Sequence, residues 1–310
     1  MRQIDHRNKD FYAMIDNRNP MYKDNGVCAM YLPQATQRLI ELALAEDLDG
    51  GDLTSLATIP ADLAAKAHVL VKDQGVLAGM DVAAAVCRLV DPALEWQPVL
   101  GDGSAVEYGT IVAYLSGPAR SVLMAERTVL NFLQRLSGIA SKTALYVAKI
   151  ADTQAKLVDT RKTTPGWRAL EKAAVRAGGG ANHRFNLGDG VLIKDNHLAL
   201  GGHDIVGAIQ RARAVAPHTT KIEVEVEDLA GVQAALEAGA DIIMLDNMSI
   251  EAMHEAVQLI AGRALVEASG GITLERIRAV AETGVNVISC GAITHSATAL
   301  DISLDIAINS

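Results

Sequence analysis

The feature that most constrains the fold is a repeat in the second half of the chain. Four short apolar runs, at residues 222–226, 241–245, 264–267 and 285–289, are each followed by a helical pattern. The residues at or just past their ends, Glu225, Asp246, Ser269 and Gly291, are spaced 21, 23 and 22 residues apart. Strand–helix units of this length, with apolar rather than alternating strands, predict a parallel sheet, because each crossover helix returns the chain to the same end. Two earlier runs, 156–159 and 191–193, extend the series. Each run ends on a polar residue or a glycine: Arg161 and Lys162, Lys194, Glu225, Asp246, Ser269 and Gly291. A closed β/α barrel gathers all such ends on one rim, where barrel active sites lie. An open doubly wound sheet uses only its switch point. Polar ends on every strand therefore favour an α/β barrel.

The first half has a different texture. Residues 33–46 carry a helical stripe of Leu39, Ile40, Leu42, Ala43 and Leu44, and 49–52 read as a turn. Strands are expected at 67–71, 75–78 and 110–116, with a helix at 81–90, which makes a small α+β layer. A long Ala/Leu-rich helical stretch from 120 to 150 is expected to break near Ser137-Gly138. Residues 1–30 are rich in Asn, Asp, Lys and Arg, and read as an irregular extension suited to disorder or a subunit contact. The 310 residues suffice for two domains, and their low aromatic content of 4% suits close helix–sheet packing. No apolar run approaches the ~18 residues of a membrane span. The polar N-terminus lacks the apolar core of a secretory signal. Cys28, Cys87 and Cys290 are odd in number, widely spaced and form no CxxC pair, so neither a disulfide framework nor a zinc site is indicated and a cytoplasmic protein is expected. A net charge of −9 argues against nucleic acid and anionic membranes as partners.

Against that acidic background, Arg161, Lys162, His183, Arg184 and Lys194 cluster in glycine-rich sequence with few acids nearby. A guanidinium matches a carboxylate or phosphate bidentately and an ammonium acts as a point charge, so a site holding both fits a small polyanion. Glu225 and Asp246, with Glu223 on the same strand face as Glu225, leave two readings open. They offer hard oxygen ligands for Mg²⁺, or they pair with Lys162 and Lys194. Ser269-Gly270-Gly271 and Gly291-Ala292 follow strands directly, where backbone N–H groups and a following helix N-terminus favour phosphate. His295 stands where it reaches the same phosphate or caps a helix, and Cys290 reads as packing. Gly178-Gly179-Gly180 gives the chain the bend that turns His183 and Arg184 inward.

These residues resemble the quinolinate phosphoribosyltransferase family, also called carboxylating nicotinate-nucleotide pyrophosphorylases. The matching stretches run in order from Gly51-Asp52-Leu53-Thr54 through Ala125-Glu126-Arg127-Thr128, Asp159-Thr160-Arg161-Lys162-Thr163, Asn182-His183-Arg184, Ile193-Lys194-Asp195-Asn196-His197 and Glu223-Val224-Glu225-Val226. They continue with Leu245-Asp246-Asn247, Ser269-Gly270-Gly271 and Gly291-Ala292-Ile293-Thr294-His295-Ser296. Trp167 departs from the aliphatic residue more usual in the family.

The resemblance implies an N-terminal α/β sandwich over 31–135, to which 297–310 return, and a β/α barrel of fewer than eight strands over 136–296. It implies phosphoribosyl transfer from phosphoribosyl pyrophosphate to quinolinate with loss of CO₂, giving nicotinate mononucleotide and pyrophosphate. Quinolinate falls to Arg127, Thr160, Arg161, His183, Arg184 and Lys194. Phosphoribosyl pyrophosphate falls to Lys162, Lys194, Glu225, Asp246, Ser269, Gly270, Gly271, Cys290, Gly291, Ala292 and His295. Lys162, Glu225 and Asp246 carry the catalytic roles, with Mg²⁺ held by Glu225 and Asp246 directly or indirectly. A homodimer, or an assembly of dimers, is implied, in which Arg127 and with it Lys72 reach the neighbouring subunit's site.

Overall fold

A computed structural model describes residues 32–307; the extension read at 1–30, with Cys28, lies outside the described residues. The chain divides into two compact units. Among the described residues, one takes 32–144, Thr164–Gly179 and 297–307; the other takes Leu145–Thr163 and Gly180–Ser296.

The first unit is built on an antiparallel sheet. Its strands are β1 (Ala64–Val71), β3 (Glu95–Pro98), β5 (Ile111–Pro118) and β12 (Ile302–Ile306), in the order β12-β1-β5-β3. A separate pair joins β2 (Gly75–Val76) to β4 (Ala105–Val106). Along β1 the side chains alternate, with Ala67, Val69 and Val71 buried, the pattern of a sheet with one covered face. The helices Gln34–Leu48 and Met80–Val90 pack together. The first buries Thr36, Ile40 and Leu44, spaced by four, on one stripe. The N-terminus of Met80–Val90 is capped from a distance: the half-buried Asp102 carboxylate accepts the Gly79 and Met80 N–H groups, both at 3.0 Å. The chain end returns to this sheet, where β12 pairs antiparallel with β1 from Ala67↔Ile306 to Val71↔Ile302.

One local expectation needs correction, and some short elements were not expected. The long helix Ala119–Lys149 runs through Ser137-Gly138 without a break. Gly138 is there for proximity: a Cβ would collide with the Thr298 carbonyl oxygen. Ser137 Oγ accepts the Ala78 N–H at 3.0 Å. The turn at 49–52 leads into a further short helix, Leu53–Thr58, whose N-cap Asp52 accepts the Ser55 N–H at 2.9 Å. Strands β3 and β4 lack an apolar run long enough to announce them and were not expected.

The helix Arg168–Ala177 groups with this unit rather than with the parallel sheet. Its Glu171, fully buried, takes the Arg135 guanidinium at 2.9 Å and the Thr164 hydroxyl at 2.8 Å. Trp167, the departure from the family pattern, stacks on Phe132 with ring centroids 4.7 Å apart.

The second unit carries six parallel strands: β6 (Lys156–Val158), β7 (Val191–Ile193), β8 (Ile222–Val226), β9 (Ile242–Asp246), β10 (Leu265–Ser269) and β11 (Val287–Ser289). Their order is β6-β11-β10-β9-β8-β7, with β6 and β7 at the two edges. Six strands accord with the expected count below eight. Residues from both edges, Arg161 past β6 and Lys194 past β7, line one cavity together with residues of β9 and β10, so the sheet curls and its C-terminal ends surround a common space.

Candidate functional site

Strand alternation sets what faces that space. Leu192 and Lys194, Glu223 and Glu225, Met244 and Asp246, Glu267 and Ser269 are each two residues apart and so share a face. The register places Glu225 beside Met244 and Ser269 beside Asp246. The space has two halves. One, of about 230 Å³, is lined by Arg161, His183, Arg184, Lys194, Leu192, Met244 and Glu267. The other, of about 210 Å³, is lined by Gly270, Gly271, Ile272, Cys290, Gly291, Ala292 and His295. Thr160, Lys162, Ser269 and Ser289 line both.

The cation half is organised from below. Asp159, fully buried at the end of β6, accepts the Asn182 side-chain amide at 2.6 Å and the His183 backbone N–H at 3.0 Å, fixing the loop that carries the basic pair. That loop follows Gly179 in left-handed backbone (φ 85°), the sharp bend expected of the triple glycine. His183 Nδ1 accepts the Arg184 N–H at 2.8 Å. Its Nε2 lies 3.3 Å from the Glu223 carboxylate and 3.5 Å from that of Glu267. Burial opposes a charge on this ring and the Arg184 N–H at Nδ1 blocks a second hydrogen there, so the two carboxylates, which pull the pKa up, act by fixing the ring hydrogen on Nε2. Burial also raises Glu223, against the bond from His183. Arg184 donates to the Gly190 carbonyl at 3.0 Å, and burial followed by the nearby Arg161 charge lowers its pKa. Two guanidiniums held close enough to repel make a site that an anion relieves. Lys194 Nζ sits 3.1 Å from Glu225, one of the two pairings left open by the sequence.

The glycine half is organised by backbone. Gly270 and Gly271 both take left-handed φ, 85° and 59°, and a Cβ on Gly270 would collide with Asn247. Arg276 holds this loop by donating to the carbonyls of Gly270 (3.3 Å), Gly271 (3.4 Å) and Met248 (2.8 Å). The expected helix N-terminus directly behind the loop is absent: the next helix begins at Ile277. Lys162 belongs to this half as much as to the other. A Cβ on Gly291 would come 2.9 Å from Lys162 Cδ, and the Thr294 hydroxyl donates to the Lys162 carbonyl at 2.8 Å. Cys290 is 2% exposed and its Sγ faces the Ile272 carbonyl at 3.6 Å, which suits packing. His295 lines the half, its Nδ1 2.7 Å from Ser296 Oγ.

Most of the expected residues are thus brought to one space. Glu225 and Asp246 stand on the rim: Glu225 joins through Lys194, and the Asp246 carboxylate accepts from Asn247 at 2.7 Å. Arg127 and Lys72 are exposed residues of the first unit. Sequence reasoning missed Asp159, Glu267 and Arg276. Glu267 was detectable, since it precedes Ser269 by two as Glu223 precedes Glu225; Arg276 had no signal beyond following the two glycines.

Comparison with known proteins agrees with this architecture. The chain matches the family model described as quinolinate phosphoribosyl transferase, N-terminal domain, over residues 52–137 and that of the C-terminal domain over 139–305. It is 44% identical over 274 residues to the probable nicotinate-nucleotide pyrophosphorylase [carboxylating] of Bacillus subtilis, covering 88% of this chain and 94% of that protein. It is 42% identical over 278 residues to the corresponding protein of Mycobacterium leprae, covering 88% and 97%. The solved structure of the nicotinate-nucleotide pyrophosphorylase from Francisella tularensis superposes with a TM-score of 0.84 at 39% identity, covering 89% of this chain and 98% of that one.

Proposed function

The chain belongs to the quinolinate phosphoribosyltransferase family, and from that premise we propose how its two-part cleft divides the work. The enzyme transfers phosphoribose to quinolinate in NAD biosynthesis, releasing pyrophosphate and CO₂ and leaving nicotinate mononucleotide. The observation that carries the assignment is the pairing of a cation-lined half with a glycine-lined half across shared Lys162 and Ser269.

Quinolinate, a dicarboxylate, takes the cation half, with Arg161, Arg184 and Lys194 as its clamp and Thr160 and His183 beside them. Arg127 of the neighbouring subunit completes that clamp in a homodimer, with Lys72 as a second lent cation. The 5-phosphate of phosphoribosyl pyrophosphate takes the N–H groups of Ser269–Gly271 and Cys290–Ala292, with His295. Lys162 holds the pyrophosphate at the seam. Glu225 and Asp246 hold the ribose hydroxyls, and Glu225 exchanges its bond to Lys194 for them. Both are hard oxygen donors on neighbouring strand ends and fit Mg²⁺, which when bound neutralises pyrophosphate charge. The site is expected to work in the cytoplasm.

As pyrophosphate leaves, positive charge develops at ribose C1 and a rim carboxylate stabilises it. The quinolinate nitrogen attacks C1, and the clamp's main contribution is to hold it in line. Once the nitrogen is quaternary, its positive charge stabilises the electron pair that the departing CO₂ leaves on the adjacent ring carbon, and a proton then takes the place of CO₂ there to give nicotinate mononucleotide. Glu225→Ala and Asp246→Ala are each expected to cut kcat by about 10²-fold, the scale for losing one preorganised electrostatic group; near-wild-type kcat would remove them from the site. The assignment as a whole is tested by pyrophosphate release with phosphoribosyl pyrophosphate and Mg²⁺. Turnover with quinolinate and none with nicotinate supports the dicarboxylate clamp, whereas turnover with nicotinate alone contradicts it.

A further inference from the structure

Beneath the cation half lies a group that the reaction just described does not use. Glu223 and Glu267 come from β8 and β10, which are separated in the sheet by β9. Their side chains are only 5% and 3% exposed, yet both converge on the single Nε2 of His183, at 3.3 and 3.5 Å. The Oε1 atom of each is buried with no hydrogen-bond partner. Burying two carboxylates side by side, each with an unpaired oxygen, is costly, and a costly arrangement of this kind calls for a role.

We propose that Glu223 and Glu267 form a buried carboxylate bracket that orients His183, and with it the adjoining Arg184, for quinolinate. They are positioning residues, and the inference rests on the assignment of the cation half to quinolinate. His183 is tied at both ring nitrogens: Nδ1 accepts the Arg184 N–H at 2.8 Å, and Nε2 donates into the bracket. The loop beneath is pinned by Asp159 through the His183 N–H and the Asn182 side chain. Ring plane and backbone are thereby set together, and Arg184 leaves this fixed point toward the cavity it lines.

The same three side chains bring one ligand atom each within 4.8 Å of one another, which invites a metal-site reading. The hydrogen bond at Nδ1 argues against it. A nitrogen that accepts the Arg184 N–H leaves the ring hydrogen on Nε2, whereas a histidine ligating through Nε2 donates from its other nitrogen.

The experiment compares Glu223→Ala, Glu267→Ala, Glu223→Gln and Glu267→Gln. Glutamine keeps the volume and the accepting oxygen. Each alanine variant is expected to raise quinolinate KM by about tenfold or more, as loss of a support that sets geometry does, with phosphoribosyl pyrophosphate KM unchanged and glutamine restoring most of the loss. Equal rises in both KM values, or alanine variants with wild-type quinolinate KM, would overturn the proposal. A second arm needs neither substrate nor variants at the bracket. In the wild-type protein labelled with ¹⁵N-histidine, the His183 resonances, identified by their loss in His183→Asn, are expected to report a hydrogen on Nε2. An unprotonated Nε2, or a stoichiometric divalent metal removed by Glu267→Gln, would overturn it. Failure of the wild-type enzyme to turn over quinolinate would instead strike the functional reading and leave the ¹⁵N result standing.

Discussion

On the proposed assignment the two halves of the cleft recognise anions by different means, and each has its own support. In the cation half the recognising groups are side chains, Arg161, Arg184 and Lys194, and the support is acidic: Asp159 under the loop, Glu223 and Glu267 under His183. In the glycine half the recognising groups are backbone, and the support is basic, the Arg276 guanidinium on the carbonyls of Gly270, Gly271 and Met248. The difference suits the ligands proposed for them. A planar dicarboxylate is discriminated by charged forks at fixed angles, which long side chains supply only when buttressed. A phosphate is met by closely approaching amides, which need glycine and a loop held in shape.

Substitutions that strike one half should spare the other. The largest effect is expected from Arg161→Ala, which should raise quinolinate KM by about 10²-fold through loss of a charge-assisted contact; an unchanged quinolinate KM in steady-state kinetics would break the division. Arg276→Ala should be milder, raising phosphoribosyl pyrophosphate KM by about tenfold as a second-tier support, with quinolinate KM intact. If both KM values rise together, the loop serves the whole cleft. Away from the cleft, Gly138→Ala should destabilise the first unit by about 1–3 kcal/mol, because the collision with Thr298 outweighs the better helix propensity of alanine. Thermal denaturation reads this, and kcat should not move.

The glycine half was the more legible from sequence, and the reason is physical. Strand-following glycines announce themselves one at a time, and Ser269-Gly270-Gly271 and Gly291-Ala292 stand where the period of the repeat puts strand ends. The cations were legible as a cluster. Spacing also put Glu223 and Glu267 on the facing side of their strands, but their role emerges only when the sheet curls and brings β8 and β10 to one ring nitrogen; Asp159 carried no such signal. Gly138 misled because a glycine in a helical run reads as a weak point. Here it permits the close approach of the returning segment near Thr298, a contact between residues 160 positions apart. Strands β3 and β4 are held by their partners rather than by an apolar run of their own, so local pattern could not reveal them.

The central claim, that the cleft is two sites sharing a seam, is tested most directly by calorimetric titration of quinolinate into the wild-type enzyme, alone and saturated with ribose 5-phosphate. The account predicts that quinolinate binds in both cases, one per active site, with its affinity little changed, because the sugar phosphate occupies Ser269–Gly271 and Gly291 and leaves Arg161 and Arg184 open. Competition between the two ligands would mean that the cations and the glycines serve one anion, and the division would be wrong.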